Sequence, residues 1–232
     1  MNTHQVDRTS TGIIFHDKDD CRVVIPPNFG WIEKKLDQQA IDYFWRLIEN
    51  KRGDYKEYLA GHIEASYILQ DKKDWLLTNV LEPLVRIYHK TFGNDLAASF
   101  PCPSKYPLYI HDMWVNYQKK HDYNPIHHHH GIYSFVLWLK IPTRHKEQNN
   151  LKNVSGRVKK DSVHGLNSVF QFQYVDILGV SNTYNYHLNP EDEGKLLFFP
   201  SSLWHSVYPF YNCDETRISV SGNLGFNTWK KR

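Results

Sequence analysis

The sequence predicts a mainly β fold with flanking helices, and three observations predict it. Beyond residue 107, apolar, aromatic and β-branched residues gather in short runs: Leu108 to Tyr117, Tyr133 to Ile141, Val169 to Val175, Lys195 to Phe199 and Arg217 to Leu224. Polar or Pro/Gly segments divide those runs, which suits an antiparallel barrel or sandwich. Before residue 100 the apolar spacing is helical instead, so two helices are expected to pack on one face of the sheet that follows.

Taken in order, residues 1–30 read as an extended lead-in, with Arg22 to Ile25 a short strand ended by Pro26-Pro27. From Trp31 to about Lys51, Leu36, Ile41, Phe44, Trp45 and Ile48 recur at helical spacing, and Gly53 is expected to close that helix. Tyr58 to Ile63 reads as a turn or short strand. A second helix is expected from Asp74, as N-cap, to Thr91, with Pro83 kinking it and Gly93-Asn94 stopping it. The break Phe100-Pro101-Cys102-Pro103 divides this part from the strands. Between Pro142 and Asn167 lies a polar segment holding Arg144, Lys146, Lys152, Arg157, Lys159 and Lys160, read as a solvated loop or, more sharply, a lid beside a site. The expected organisation is one domain over 1–232, with 1–100 as helical support and 101–232 as the β core.

The 41% apolar and 15% aromatic content implies a substantial core rather than a disordered chain. A net charge of +3, with no dominating Lys/Arg block, gives no argument for nucleic acid. Cys21, Cys102 and Cys213 are odd in number and far apart, which suits a reducing compartment better than a disulfide framework. Met1 to Arg22 has no apolar leader-like core, and no apolar stretch is long enough to span a bilayer. A soluble, cytoplasmic protein is therefore expected.

The chemistry concentrates at Asn124-Pro125-Ile126-His127-His128-His129-His130-Gly131, which leads directly into the run from Tyr133. Along an extended chain side chains alternate, so His127 and His129 share one face while His128 and His130 take the other. Two neutral imidazoles two residues apart on a rigid strand make half a metal site. Downstream, Gly194, the run Lys195 to Phe199 and Pro200 deliver His205 at the far end of a strand. Arg217 and Ser219 then share a face of the last run. Asn116 precedes the histidines on their neighbouring strand.

These stretches (Trp114 to Gln118, Asn124 to Pro142, Phe199 to Phe210 and Arg217 to Asn223, with Leu59-Ala60-Gly61 in the helical part) resemble the Fe(II)- and 2-oxoglutarate-dependent oxygenases, in particular those of marine bacteriophages. The resemblance implies a double-stranded β-helix, or jelly roll, holding iron at its open end. It implies a dioxygenase using Fe(II), 2-oxoglutarate and O₂, hydroxylating an amino-acid, peptidyl or small-metabolite substrate with release of succinate and CO₂. The family's pattern of His-x-Asp/Glu, a distal His and Arg-x-Ser falls on His127, His205, Arg217 and Ser219, with Asn116 a further contact to the co-substrate. The carboxylate position falls on His129, which is a departure. Iron held by His127, His129 and His205, a triad completed by a carboxylate such as Asp122, or two histidines plus water all remain open. A halogenase-like site would need a smaller residue at 129.

Two other readings compete. A cupin-type dioxygenase with a three-His site shares the Gly194, Pro200 and His205 spacing, but the Glu expected soon after its His-x-His is absent, since 133 and 134 are Tyr and Ser. A non-enzymatic metal- or ligand-binding jelly roll would bind metal without turnover.

Overall fold

The computed structural model describes residues 6–9, 12–16, 22–25, 28–93, 107–151 and 165–227. Three short strands, β1 (Val6–Thr9), β2 (Gly12–His16) and β3 (Arg22–Ile25), form an antiparallel sheet of their own. Arg22 to Ile25 is thus the strand expected, while Pro26-Pro27 lies outside the described residues.

The first helix starts later than its sequence spacing suggests. Ile32–Lys35 is a strand, β4, alternating half-buried and exposed side chains. That period of two lets it pair along an edge of the main sheet, and the pairing overrides helical propensity. Asp37 then caps α1 (Gln38–Glu49) through its carboxylate, which accepts the Ala40 amide at 2.9 Å. The helix closes at Asn50, whose amide returns to the carbonyls of Leu47 and Ile48, so Gly53 does not stop it. The second expected helix also differs at its start. Asp74 has φ 51°, whereas an N-cap sits in extended backbone. The cap is Asp71, whose carboxylate accepts the amides of Trp75 and Leu77, each at 3.1 Å. A π-helical turn over Leu77–Leu81 precedes α2 (Glu82–Phe92). Pro83 therefore falls in the first turn of α2, where its missing N–H costs little, and the irregularity expected of it lies in the turn before it. Gly93 ends α2 at φ 84°.

The remaining strands are β5 (Ala65–Ile68), β6 (Leu108–Gln118), β7 (Asn124–His127), β8 (Tyr133–Lys140), β9 (Val169–Val175), β10 (Ser181–His187), β11 (Lys195–Pro200), β12 (Trp204–Val207) and β13 (Arg217–Phe226). β6 to β13 make two facing antiparallel sheets, β11-β8-β13-β6 and β10-β9-β12-β7, with β4 and β5 extending the two edges of the first. The chain thus alternates between sheets in jelly-roll order, as expected from the resemblance. Alternation on β8 and β11 divides the core. Phe135, Leu137, Leu196 and Phe198 face α1 and α2, meeting Phe44, Leu84 and Tyr88. Val136, Trp138, Leu197 and Phe199 face the second sheet, meeting Phe170 and Phe172. Each such fully buried side chain contributes about 1.5–3 kcal/mol.

The segment from Pro142 is not all loop. His145–Asn149 forms a short helix, α3, and Arg144 pairs with Glu191 at 2.6 Å. Lys152, Arg157, Lys159 and Lys160, on which a lid would depend, lie outside the described residues. Among the described residues no helix is long and apolar enough to cross a membrane.

Candidate active site

The second sheet gathers the histidines. β12 pairs with β7 so that His205 lies opposite His127. Beyond β7 the chain stays extended enough for alternation to continue. The His129 amide donates to Ser201 O at 2.9 Å, and Gly131 then turns at φ 107°. That turn needs glycine twice over, since a Cβ there would also stand 2.7 Å from Leu224 O. As a result one ring nitrogen from each of His127, His129 and His205 lies within 4.8 Å of the others, while His128 and His130 are exposed. His128 packs edge-on against Trp204 instead.

Hydrogen bonding orients the triad. His127 Nδ1 lies 2.7 Å from Pro125 O and His205 Nδ1 lies 2.9 Å from Leu203 O. A carbonyl only accepts, so each Nδ1 carries the proton and each Nε2 keeps its lone pair. His129 Nε2 and His205 Nε2 are 3.1 Å apart. Two nitrogens bound at about 2.1 Å and at right angles around one metal would be about 3.0 Å apart. The donor set therefore fits a divalent transition-metal ion. Burial holds all three rings below the ordinary imidazole range, His129 to about 3, and their mutual repulsion lowers His129 and His205 further. Neutral imidazole is the form that ligates metal.

Asp122 does not join them. Its carboxylate accepts the amides of Glu64 (2.6 Å) and Lys119 (2.9 Å) and lies 3.8 Å from His62, a helpful brace for the loop before β7 rather than a fourth donor. Among the described residues lining the cavity beside the histidines, none is a carboxylate.

β13 supplies a buried cation. Arg217 is 1% exposed, stacks on Phe210 with its guanidinium carbon 4.9 Å from the ring centre, and donates to Gln118 Oε1 at 3.3 Å and to Ser168 Oγ. Among the described residues its Nε has no hydrogen-bond partner. The acidic neighbours that could have neutralised it are engaged elsewhere: Asp214 with Lys120 and Glu215 with Lys140. Burial lowers Arg217 to about 9, which leaves it charged at neutral pH. An uncompensated buried charge of this kind is costly, and a bound anion relieves it.

The cavity, about 130 Å³, runs from the histidines to Gln118, the partner of Arg217. Register sets Arg217 opposite Gln118, Ser219 opposite Asn116 and Ser221 opposite Trp114. Ser219, Ser221, Asn116, Gln118 and Trp114 all line the cavity, as do the three histidines. Asn116 Oδ1 accepts the Ser66 hydroxyl at 3.0 Å. Sequence reasoning singled out Asn116 but passed over Trp114 and Gln118. Period-two alternation along β6 puts all three on one face and could have found them. Ser168 and Phe210, which hold the guanidinium, carry no sequence signal, because only folding brings them to Arg217.

Residues 112–223 match the family described as "Putative 2OG-Fe(II) oxygenase". No curated protein matches the chain. Similar solved structures include a prolyl-4-hydroxylase from Pseudomonas putida (13% identity, TM-score 0.46, covering 86% of this chain and 94% of that one). Another is the viral collagen prolyl hydroxylase of Paramecium Bursaria Chlorella virus-1, solved with 2OG (11% identity, TM-score 0.46, 84% and 94% covered). A third is a 2OG-Fe(II) oxygenase family oxidoreductase from Burkholderia pseudomallei (11% identity, TM-score 0.48, 84% and 85% covered).

Proposed function

We propose that the chain is a 2OG-Fe(II) oxygenase, the family its residues 112–223 match, and that His127, His129 and His205 hold its iron while Arg217, Ser219 and Asn116 hold its 2-oxoglutarate. The family's activity brings Fe(II), 2-oxoglutarate and O₂ to this chain as cofactor and co-substrates. The observation that carries the site assignment is the buried guanidinium of Arg217, without a carboxylate partner and on the strand face that continues to Ser219 and Ser221. A planar guanidinium grips a carboxylate through two parallel hydrogen bonds, which suits the distal carboxylate of a dicarboxylic oxo acid. Ser219 and Asn116, cross-strand neighbours, add polar contacts along the same wall.

When bound, iron with 2-oxoglutarate and O₂ supplies the oxidising chemistry, and the protein's work is binding, orientation and exclusion of water. His127 and His205 present fixed lone pairs because Pro125 and Leu203 hold their other nitrogens. Phe170, Trp138 and Val136, packed in the core between the sheets, give the cavity an apolar wall. The prime substrate is an amino-acid, peptidyl or small-metabolite group and the reaction a hydroxylation. The test is Fe(II)-dependent conversion of 2-oxoglutarate to succinate by the purified chain, followed with and without candidate substrates. Metal binding without any succinate would instead favour a ligand-binding jelly roll.

A further inference from the structure

The three-histidine set has a consequence for charge. Three neutral imidazoles leave a divalent metal its full 2+, and buried Arg217 adds one more positive charge. A 2-oxoglutarate dianion cancels two of these three, so the filled site keeps one positive charge. No carboxylate among the described residues lines the cavity to absorb it. Asp122 and Asp112, acidic side chains on the elements around the site, are committed elsewhere. Asp122 takes two backbone amides, and Asp112 accepts from Tyr55 and Asn223.

A second observation, independent of the charge count, lies in the wall beside His129. Trp114 is 3% exposed, stacks on Tyr55 with ring centres 4.7 Å apart, and brings its ring within 5.5 Å of the His129 ring. Among the described residues its indole Nε1–H finds no hydrogen-bond acceptor. Indole nitrogen only donates, and a buried donor left unpaired is destabilising until an acceptor reaches it. An anionic oxygen satisfies this N–H and the residual charge together.

We propose that the prime substrate carries a carboxylate, or a group of like charge, which the Trp114 indole N–H receives beside the metal. This rests on the metal and 2-oxoglutarate assignment above, and deepens it by naming a substrate class. Neutral side chains alone would leave both the donor and the charge unanswered. Tyr55, held at 3.3 Å by Asp112, buttresses the indole from outside.

The experiment uses the full chain with Co(II) in place of iron, so that no turnover occurs, and begins by titrating 2-oxoglutarate. Failure at that step overturns the co-substrate assignment before the substrate class is addressed. Propionate and propionamide, alike in shape and different in charge, are then titrated into the Co(II)·2-oxoglutarate complex and followed by the cobalt visible spectrum. The expected result is saturable propionate binding at least tenfold tighter than propionamide. Trp114→Phe keeps the ring and deletes the donor, so propionate should weaken about tenfold while cobalt and 2-oxoglutarate affinity hold. If Trp114→Phe fails to fold, His129→Asp carries the test: it returns one negative charge, and the acid-over-amide preference should collapse with cobalt still bound. Equal affinity for acid and amide overturns the proposal. So does propionate that displaces 2-oxoglutarate, because the anion site would then be the co-substrate's own.

Discussion

Among the described residues two clusters of buried or half-buried histidine stand out, and they differ in where their nitrogens point. His127, His129 and His205 turn their ring nitrogens toward one another across a cavity. His145 and His187 lie face to face instead, with ring centres 4.0 Å apart and planes 6° from parallel. Both His145 nitrogens are engaged, Nδ1 with Asn167 O at 3.0 Å and Nε2 with Asn149 Nδ2 at 2.7 Å. His187 pairs with Val169 at the start of β9, whereas His205 pairs with Phe172 farther along the same strand. The stack ties α3 to the sheet and the triad opens to ligand. Residue type and at least partial burial are shared, so convergence of lone pairs is what marks the triad, and not the stack, as the candidate metal site.

The comparison breaks most sharply on metal. Fe(II) with 2-oxoglutarate should raise the melting temperature of the wild type, since a ligand bound only by the folded state at a hundred times its Kd adds about 2.7 kcal/mol. His127→Ala and His205→Ala should each abolish that rise. His145→Ala should lower the melting temperature of the ligand-free protein, because it deletes a buried hydrogen-bonded ring, but the ligand-induced rise should survive. A lost rise in His145→Ala, measured by calorimetry, would place the metal at the wrong cluster.

Next in size is Arg217, the group that distinguishes the triad's end of the fold from a bare metal site. Arg217→Ala should weaken 2-oxoglutarate by about 2–5 kcal/mol, as truncating one side of a buried charge pair does. Metal affinity measured without 2-oxoglutarate should change little. Unaltered 2-oxoglutarate affinity by titration calorimetry would remove the guanidinium from the site.

How far the sequence foretold this arrangement depended on how local each signal was. Strands β6, β8, β9, β11 and β13 announced themselves by apolar runs, and the histidine alternation from 127 to 130 survived even though β7 ends at His127. β10 (Ser181–His187) is polar and β7 contains a proline, so neither gave a strand signal. The spacing around β4 predicts helix, because its apolar and charged residues fit either period over four positions. The stack of His145 on His187 and the grip of Ser168 and Phe210 on Arg217 join residues far apart in the chain, and spacing carries no trace of them.

Acid should weaken both clusters, in the same direction. Burial holds His127, His129, His205, His145 and His187 all below the ordinary imidazole value, His129 at about 3. The unfolded chain takes up protons below about pH 6.5, while the folded chain resists until the pH is well lower. More protons are therefore bound unfolded, and stability falls as pH drops through 6.5 toward 3, being fully present above it. Each histidine that stays neutral contributes a slope approaching about 1.4 kcal/mol per pH unit. Urea denaturation of the metal-free protein at pH 7.5 and 5.5 should show a clear loss at the lower pH. Bound Fe(II) should steepen the dependence through the triad alone, because protons compete with metal for those lone pairs. Wild type and His145→Asn should therefore share the added metal-dependent slope, and a slope lost in the variant would mean that the stack, too, holds metal.

The smallest expected effects test the alternation itself, within a single run of four histidines. His129→Ala removes one of three convergent nitrogens and should weaken Fe(II) clearly. His128 is exposed at the cavity's rim against the edge of Trp204, their ring centres 4.5 Å apart, and His130 is exposed. Exposed side chains away from a cap, core or ion network change stability by about 0.5 kcal/mol or less when truncated. His128→Ala and His130→Ala should therefore leave both the melting temperature and the Fe(II) titration nearly unchanged. The contrast is informative because the three residues are chain neighbours of the same type. Composition and proximity in sequence are equal, and only the direction of the side chain differs. A loss of Fe(II) binding in His128→Ala or His130→Ala as large as that in His129→Ala would show that the tract binds metal as a flexible cluster and that the strand register does not select its ligands.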